Sequence, residues 1–201
     1  LRFLGGMVIV LGLCCGNAIA ADGLRWFEGQ KPKPQARQAV ELLAAAASHG
    51  LEPQDYNAGV LRQAIMAAQT SPPSTATLAA LDQALTTAMV RYLADLHQGR
   101  VNPQKIRHNF NPPRDGFDPA VYLQTALTAH RLSEAASAAA PRLPLYEQLR
   151  ATLAYYRELV DDPAWLKPLP PVRRKVAPGQ AYVGLAVLAQ RLIALGDLEA
   201  N

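Results

Sequence analysis

The sequence predicts an all-α protein, a single irregular helical domain of about six or seven helices joined by proline-rich connectors. Three observations predict it. Hydrophobic residues make up 50% of the 201, alanine and leucine foremost, and they recur at steps of three and four, the spacing of one buried helical stripe. β-branched runs that alternate polar and apolar residues, which would mark half-buried strands, are almost absent. The sixteen prolines gather between the periodic runs, where they break helices instead of interrupting them.

The chain opens on a removable leader. Leu4 to Cys15 is a nearly unbroken apolar run, Arg2 supplies a positive start, and Ala18-Ile-Ala20 fits a small-x-small cleavage pattern. Residues 1–20 therefore read as a signal peptide cleaved near Ala20 or Ala21, and the protein as exported and periplasmic. The run falls short of the about 20 apolar residues a spanning helix needs; the alternative is an uncleaved leader anchored in the inner membrane. Lipid attachment is disfavoured, because Leu13 stands before Cys14 where a small residue is wanted. Both cysteines of the chain, Cys14 and Cys15, lie in the leader. The mature portion thus has no disulfide, thiolate metal site or cysteine nucleophile.

Each later element has its own signal. Residues 22–34 read as extended, with Trp26-Phe27 an anchor and Lys31-Pro-Lys-Pro34 a breaker. A helix is expected from Gln35 to Ser48, stopped by Gly50. Pro53 presets a short helical piece, and Asn57 is placed to cap a helix burying Val60, Leu61, Ala64, Ile65 and Ala68. Ser71-Pro-Pro-Ser74 breaks that helix, and Ser74 or Thr75 caps a long one burying Leu85, Met89, Tyr92, Leu93 and Leu96. Gly99 ends it. Residues 100–117, with Pro103, Pro112, Pro113 and Gly116, read as irregular. Asp118-Pro119 starts a helix that breaks near His130, and Ser133 restarts a short alanine-rich one ending at Pro141. Pro144 opens a helix expected to bury Leu145, Leu149, Leu153, Tyr156 and Val160. A connector follows from Asp161 to Gly179 with Trp165 as its buried anchor, and the last helix runs from Ala181 to Leu195.

Catalytic chemistry is not legible. His49, His97, His108 and His130 are not spaced as metal ligands, and no acidic residue joins them in a ligand pattern; no metal and no cofactor are expected. Asp161-Asp162 reads as turn chemistry, not as a carboxylate pair across a substrate. There is no Gly-x-Ser-x-Gly turn and no glycine-rich phosphate loop. The net charge of +4 is mild, and no aromatics interleave with the basic residues, so nucleic acid is disfavoured. Arg173-Arg174-Lys175 reads as a solvated loop or a contact for an anionic wall polymer. One polar group stands out: Arg91 and Asp95, four apart on one helical face, with Arg100 beyond the glycine stop. Either Arg91 and Asp95 form a surface ion pair, or Arg100 fastens the loop that follows.

Four strings together resemble one family: His49-Gly-Leu-Glu-Pro-Gln-Asp-Tyr56, Tyr92-Leu-Ala-Asp-Leu-His-Gln-Gly-Arg-Val-Asn-Pro103, Pro141-Arg-Leu-Pro-Leu-Tyr-Glu-Gln-Leu-Arg150 and Arg191-Leu-Ile-Ala-Leu-Gly-Asp-Leu198. Their order and spacing resemble the N-terminal helical scaffold region of the large periplasmic murein L,D-transpeptidases. The resemblance implies a helical scaffold over residues 21–180, with residues 181–201 holding the last helix and the start of a peptidoglycan-binding segment. In that family a catalytic domain follows, whose Ser-His-Gly-Cys cysteine attacks a stem peptide and passes the acyl group to a neighbouring stem. No catalytic residue of that kind can be placed here. The resemblance therefore implies the scaffold portion of a transpeptidase cut short after Asn201. Its partners would be peptidoglycan, the missing domains and other wall synthases. The alternative is a stand-alone periplasmic helical module that binds a wall component or a protein. A weaker third reading is an anion-binding or chaperone-like protein that uses the basic stretch from Lys167 to Lys175.

Overall fold

The computed structural model describes residues 25–101, 105, 116–172 and 174–200. The leader and its cleavage site, His108, Arg173, and Pro103, Pro112 and Pro113 lie outside the described residues. The fold is all-α and irregular, as the periodicity predicts. Its only strands among the described residues are the two-residue β1 (Phe27–Glu28) and β2 (Lys31–Pro32), an antiparallel hairpin pairing Phe27 with Pro32.

Pro34 sits at the first helical position of α1 (Pro34–Ala44), where its fixed φ suits the helix and its missing N–H costs nothing. Ala36, Ala39, Val40 and Leu43 form its buried stripe. The expected helix to Ser48 ends earlier: from Ala45 to His49 the chain tightens into a 3-10 turn. Gly50, at φ +75°, then reverses the chain in a conformation that side chains with a Cβ disfavour. A second 3-10 turn, Pro53–Tyr56, leads to α2 (Ala58–Thr70).

The long α3 (Thr75–Gln98) is the spine. Its first turn is capped by Ser74, whose hydroxyl accepts the Thr77 N–H. Leu78, Leu81, Leu85, Ala88, Met89, Tyr92, Leu93 and Leu96 are buried along it, against α1, α2 and two later helices. These are α4 (Pro119–Thr128), capped by Asp118 on the N–H groups of Ala120 and Val121, and α5 (Leu132–Ala139). The break between them falls at His130, whose φ is +54°. Then come α6 (Pro144–Val160), the single-turn α7 (Pro163–Leu166) and α8 (Leu185–Leu195), closed by Gly196 at φ +78°. Among the described residues no helix is long and apolar enough to cross a membrane.

The aromatic anchor at the hairpin is real. Trp26 is fully buried, its backbone N–H donates to Asp82 Oδ1 at 2.8 Å, and its indole N–H donates to Thr86 Oγ1 at 2.9 Å. Asp82 is the one buried charged residue among those described. Its carboxylate fastens the hairpin to the spine.

Several expectations need correction. Asn57 occupies the capping position of α2 but makes no side-chain cap bond; its backbone turns left-handed instead, at φ +52°. In α2, Leu61, Ile65 and Ala68 are buried as expected, whereas Val60 is 69% exposed, on the edge of a stripe narrower than the sequence suggested. The helix after His130 starts at Leu132, with Arg131 and not Ser133 at its boundary. The connector after α6 contains α7, and Trp165 is half-buried. The last helix begins at Leu185, not Ala181. The largest difference is α6. Leu145, Leu149, Tyr156 and Val160 are all more than half exposed, and Leu159 is its only buried residue. Periodicity marks an apolar face but cannot say whether the same chain covers it.

Candidate functional site

A polar cluster gathers at the C-terminal end of α3, and it is larger than the sequence suggested. Arg91 and Asp95 do lie on one face, with Arg91 Nε 3.9 Å from Asp95 Oδ2. That long, exposed contact is the weakest part. Asp95 Oδ2 accepts the Tyr56 hydroxyl at 2.7 Å, and Arg91 donates to the Asp55 carbonyl at 3.0 Å. The Arg91 guanidinium also lies over the Tyr56 ring, 5.7 Å from its centroid. Arg100 turns away from Asp95 and pairs its Nη1 with Asp55 Oδ2. The partners that sequence reasoning missed are Asp55 and Tyr56, which sit in the second 3-10 turn. Their only signal was membership of the first of the four strings.

Burial and the hydrogen bond to Asp95 push the Tyr56 hydroxyl far above the ordinary tyrosine range. Its ring meets Tyr92 edge-on at 5.6 Å, and burial, more than the neighbouring Tyr146, raises Tyr92 to about 12. Both phenols stay protonated at any physiological pH. Nothing here activates a nucleophile: the carboxylate holds a phenol in place and two arginines hold a turn.

A second cluster joins the first 3-10 turn to α6. His49 Nδ1 lies 2.6 Å from the Tyr146 hydroxyl, with the rings stacked at 6.1 Å. Arg150 Nε donates to the Ser48 carbonyl at 3.1 Å, and Arg157 donates to the Ala47 carbonyl. Elsewhere, His97 stacks on Phe117 at 3.9 Å and its Nδ1 lies 3.2 Å from the Ala139 carbonyl. Arg191 covers the Trp165 ring at 4.8 Å and donates to the carbonyls of Ala164 and Lys167. Among the described residues, no three His, Cys, Asp or Glu side chains converge as metal ligands. A shallow groove of about 210 Å³ runs between α4 and α5, flanked by Tyr122, Thr125, Arg131 and Glu134, and it holds no nucleophile paired with a base.

These contacts share one character: side chains from one segment hold another segment in place, several of them through its backbone carbonyls. A protein-family model described as the Scaffold domain matches residues 21–153, about two thirds of the chain. The chain belongs to the Scaffold domain family. The Scaffold domain match runs from before the hairpin to Leu153 in α6, and it takes in the Asp55–Tyr56–Arg91–Asp95–Arg100 cluster and the His49–Tyr146–Arg150 cluster whole. The string from Arg191 to Leu198 falls beyond it. The family's description points to a scaffolding role, not a catalytic one. No curated protein and no solved structure matches the chain.

Proposed function

We propose that this Scaffold domain is the non-catalytic helical part of an exported L,D-transpeptidase, acting in the periplasm in peptidoglycan crosslinking. On this reading the helical body positions a peptidoglycan-binding and a catalytic domain, and the bond-making cysteine belongs to the latter. One observation carries the reading. Segments that resemble the transpeptidase scaffold in sequence carry side chains that clamp one element to another. Asp55 and Tyr56 of the first string meet Arg91, Asp95 and Arg100 around the second, and His49 of the first meets Tyr146 and Arg150 of the third. The family match also opens at residue 21, where the leader's cleavage is expected.

The test is the reading frame beyond Asn201. An in-frame continuation encoding a Ser-His-Gly-Cys catalytic domain is the expected result. An intact stop codon there, with no frameshift, would overturn the reading. What would then stand is a periplasmic helical module that binds a wall component or a protein partner, a reading favoured by the uncovered apolar stripe of α6.

A further inference from the structure

α6 is a 17-residue helix that buries one residue of its own, Leu159. It packs chiefly on the 3-10 turn Ala45–His49, and the contacts made there are mostly polar. Arg150 and Arg157 donate to the carbonyls of Ser48 and Ala47, and Tyr146 bonds the His49 ring. A Cβ placed on Gly50 would lie 3.8 Å from Leu153 Cδ2, so that methyl group borders the end of the turn. A helix held this way, without a buried apolar stripe, leaves the body at far lower cost than α1 or α3 would. The contacts of Tyr146, Arg150 and Arg157 are all made to a single turn of chain, and one of the groups in that turn is a histidine, the side chain whose ordinary pKa lies nearest neutral.

We propose that His49 is a proton-operated latch: neutral, it holds α6 against the body, and protonated, it lets α6 detach. In the tautomer with its proton on Nε2, neutral His49 accepts the Tyr146 hydroxyl at Nδ1. Protonation turns Nδ1 into a donor, so that bond must reverse. It also places a cation beside Arg150. The groups facing His49 from α6 are Tyr146, Glu147 and Arg150; from α3, Tyr92 stands close to Tyr146. Burial, then Arg150, lowers the His49 pKa, and Glu147 offsets this in part. The docked state therefore binds fewer protons than the detached one. Docking is complete above the ordinary histidine value of about 6.5 and weakens as pH falls below it.

Hydrogen–deuterium exchange on the full chain reads the latch directly. Protection of the α6 amides, each rate divided by the intrinsic rate at that pH, is compared with that of α3. Between about pH 7.5 and about pH 5.5, α6 protection is expected to fall by up to about tenfold, the limit set by a detached histidine titrating near 6.5, while α3 stays constant. In His49→Gln the pH step should vanish. In Tyr146→Phe, α6 protection should drop even at the higher pH, with α3 unchanged. Equal α6 protection at both pH values in the unaltered chain, or a step that persists in His49→Gln, or full α6 protection in Tyr146→Phe would each overturn the latch.

Discussion

Replacing Tyr56 by phenylalanine separates a built cluster from a decorative surface ion pair. The Tyr56 ring is 1% exposed and stays packed on Tyr92 in the variant, so the only atom lost is the hydroxyl that donates to Asp95 Oδ2 at 2.7 Å. A hydrogen bond to a charged group contributes about 1.5–3 kcal/mol. The Asp95 side chain is 18% exposed, so water re-solvates part of its charge and draws the cost toward about 1.5 kcal/mol. Arg91→Ala removes a 3.9 Å pair whose arginine is 53% exposed, worth under about 1 kcal/mol. It also removes the bond to the Asp55 carbonyl, which water can replace. The structure thus ranks Tyr56→Phe above Arg91→Ala, the reverse of what the helical spacing alone suggests. Urea unfolding followed by tryptophan fluorescence, to which Trp26 and Trp165 both contribute, measures both at constant m-value. A double-mutant cycle between Tyr56→Phe and Asp95→Asn should give a coupling of about 1 kcal/mol or more. A cost below about 0.5 kcal/mol for Tyr56→Phe, or a larger cost for Arg91→Ala, would refute the assignment.

Two further substitutions probe the rest of the fold. Leu93→Ala, at a fully buried position of α3, should cost about 2–5 kcal/mol, whereas Leu149→Ala, 59% exposed on α6, should stay within about 0.5 kcal/mol; equal costs in thermal or urea unfolding would mean that α6 is buried after all. Asp82→Ala strands the buried Trp26 N–H and should cost about 1.5–3 kcal/mol, together with a loss of near-ultraviolet circular dichroism from Trp26. An unchanged spectrum and midpoint would show that the hairpin does not depend on that carboxylate.

Most of the fold was legible because most of it is local. Pro34, Gly50, Pro53, Ser74, Gly99, Asp118-Pro119 and Gly196 mark helix ends through backbone preferences that need no tertiary context, and the structure places a start or a stop at each. The α3 stripe was legible because a helix flanked on several sides shows its burial in its spacing. What stayed hidden depends on contacts between segments far apart in sequence. Asp82 lies 56 residues from the Trp26 it fastens, and nothing local distinguishes it from an exposed acid on a helix. The sequence left open whether Arg91 and Asp95 form a surface pair or Arg100 fastens the loop that follows it; the partner Arg100 takes, Asp55, lies in an earlier turn that its local residues mark only by a proline. The α6 stripe was misplaced for a different reason: an apolar face has the same period whether it meets its own core, another protein or water.

The polar clusters make most sense beside the turns they accompany. Gly50, Asn57 and Gly99 each take a positive φ, and a chain leaving such a residue is not directed by the helix before it. The helix-stop signal therefore sets where the direction changes, not which way the chain goes next. Arg91 and Arg100 bind the Asp55 carbonyl and carboxylate just before Asn57, and Arg150 and Arg157 bind the carbonyls of Ser48 and Ala47 just before Gly50. Each contact is individually worth little against solvent, but each selects one direction among several that the turn alone would permit. The apolar core is built from the hairpin and from α1 to α5; the arginines add little to it and instead select the direction the chain takes at the turns they bind.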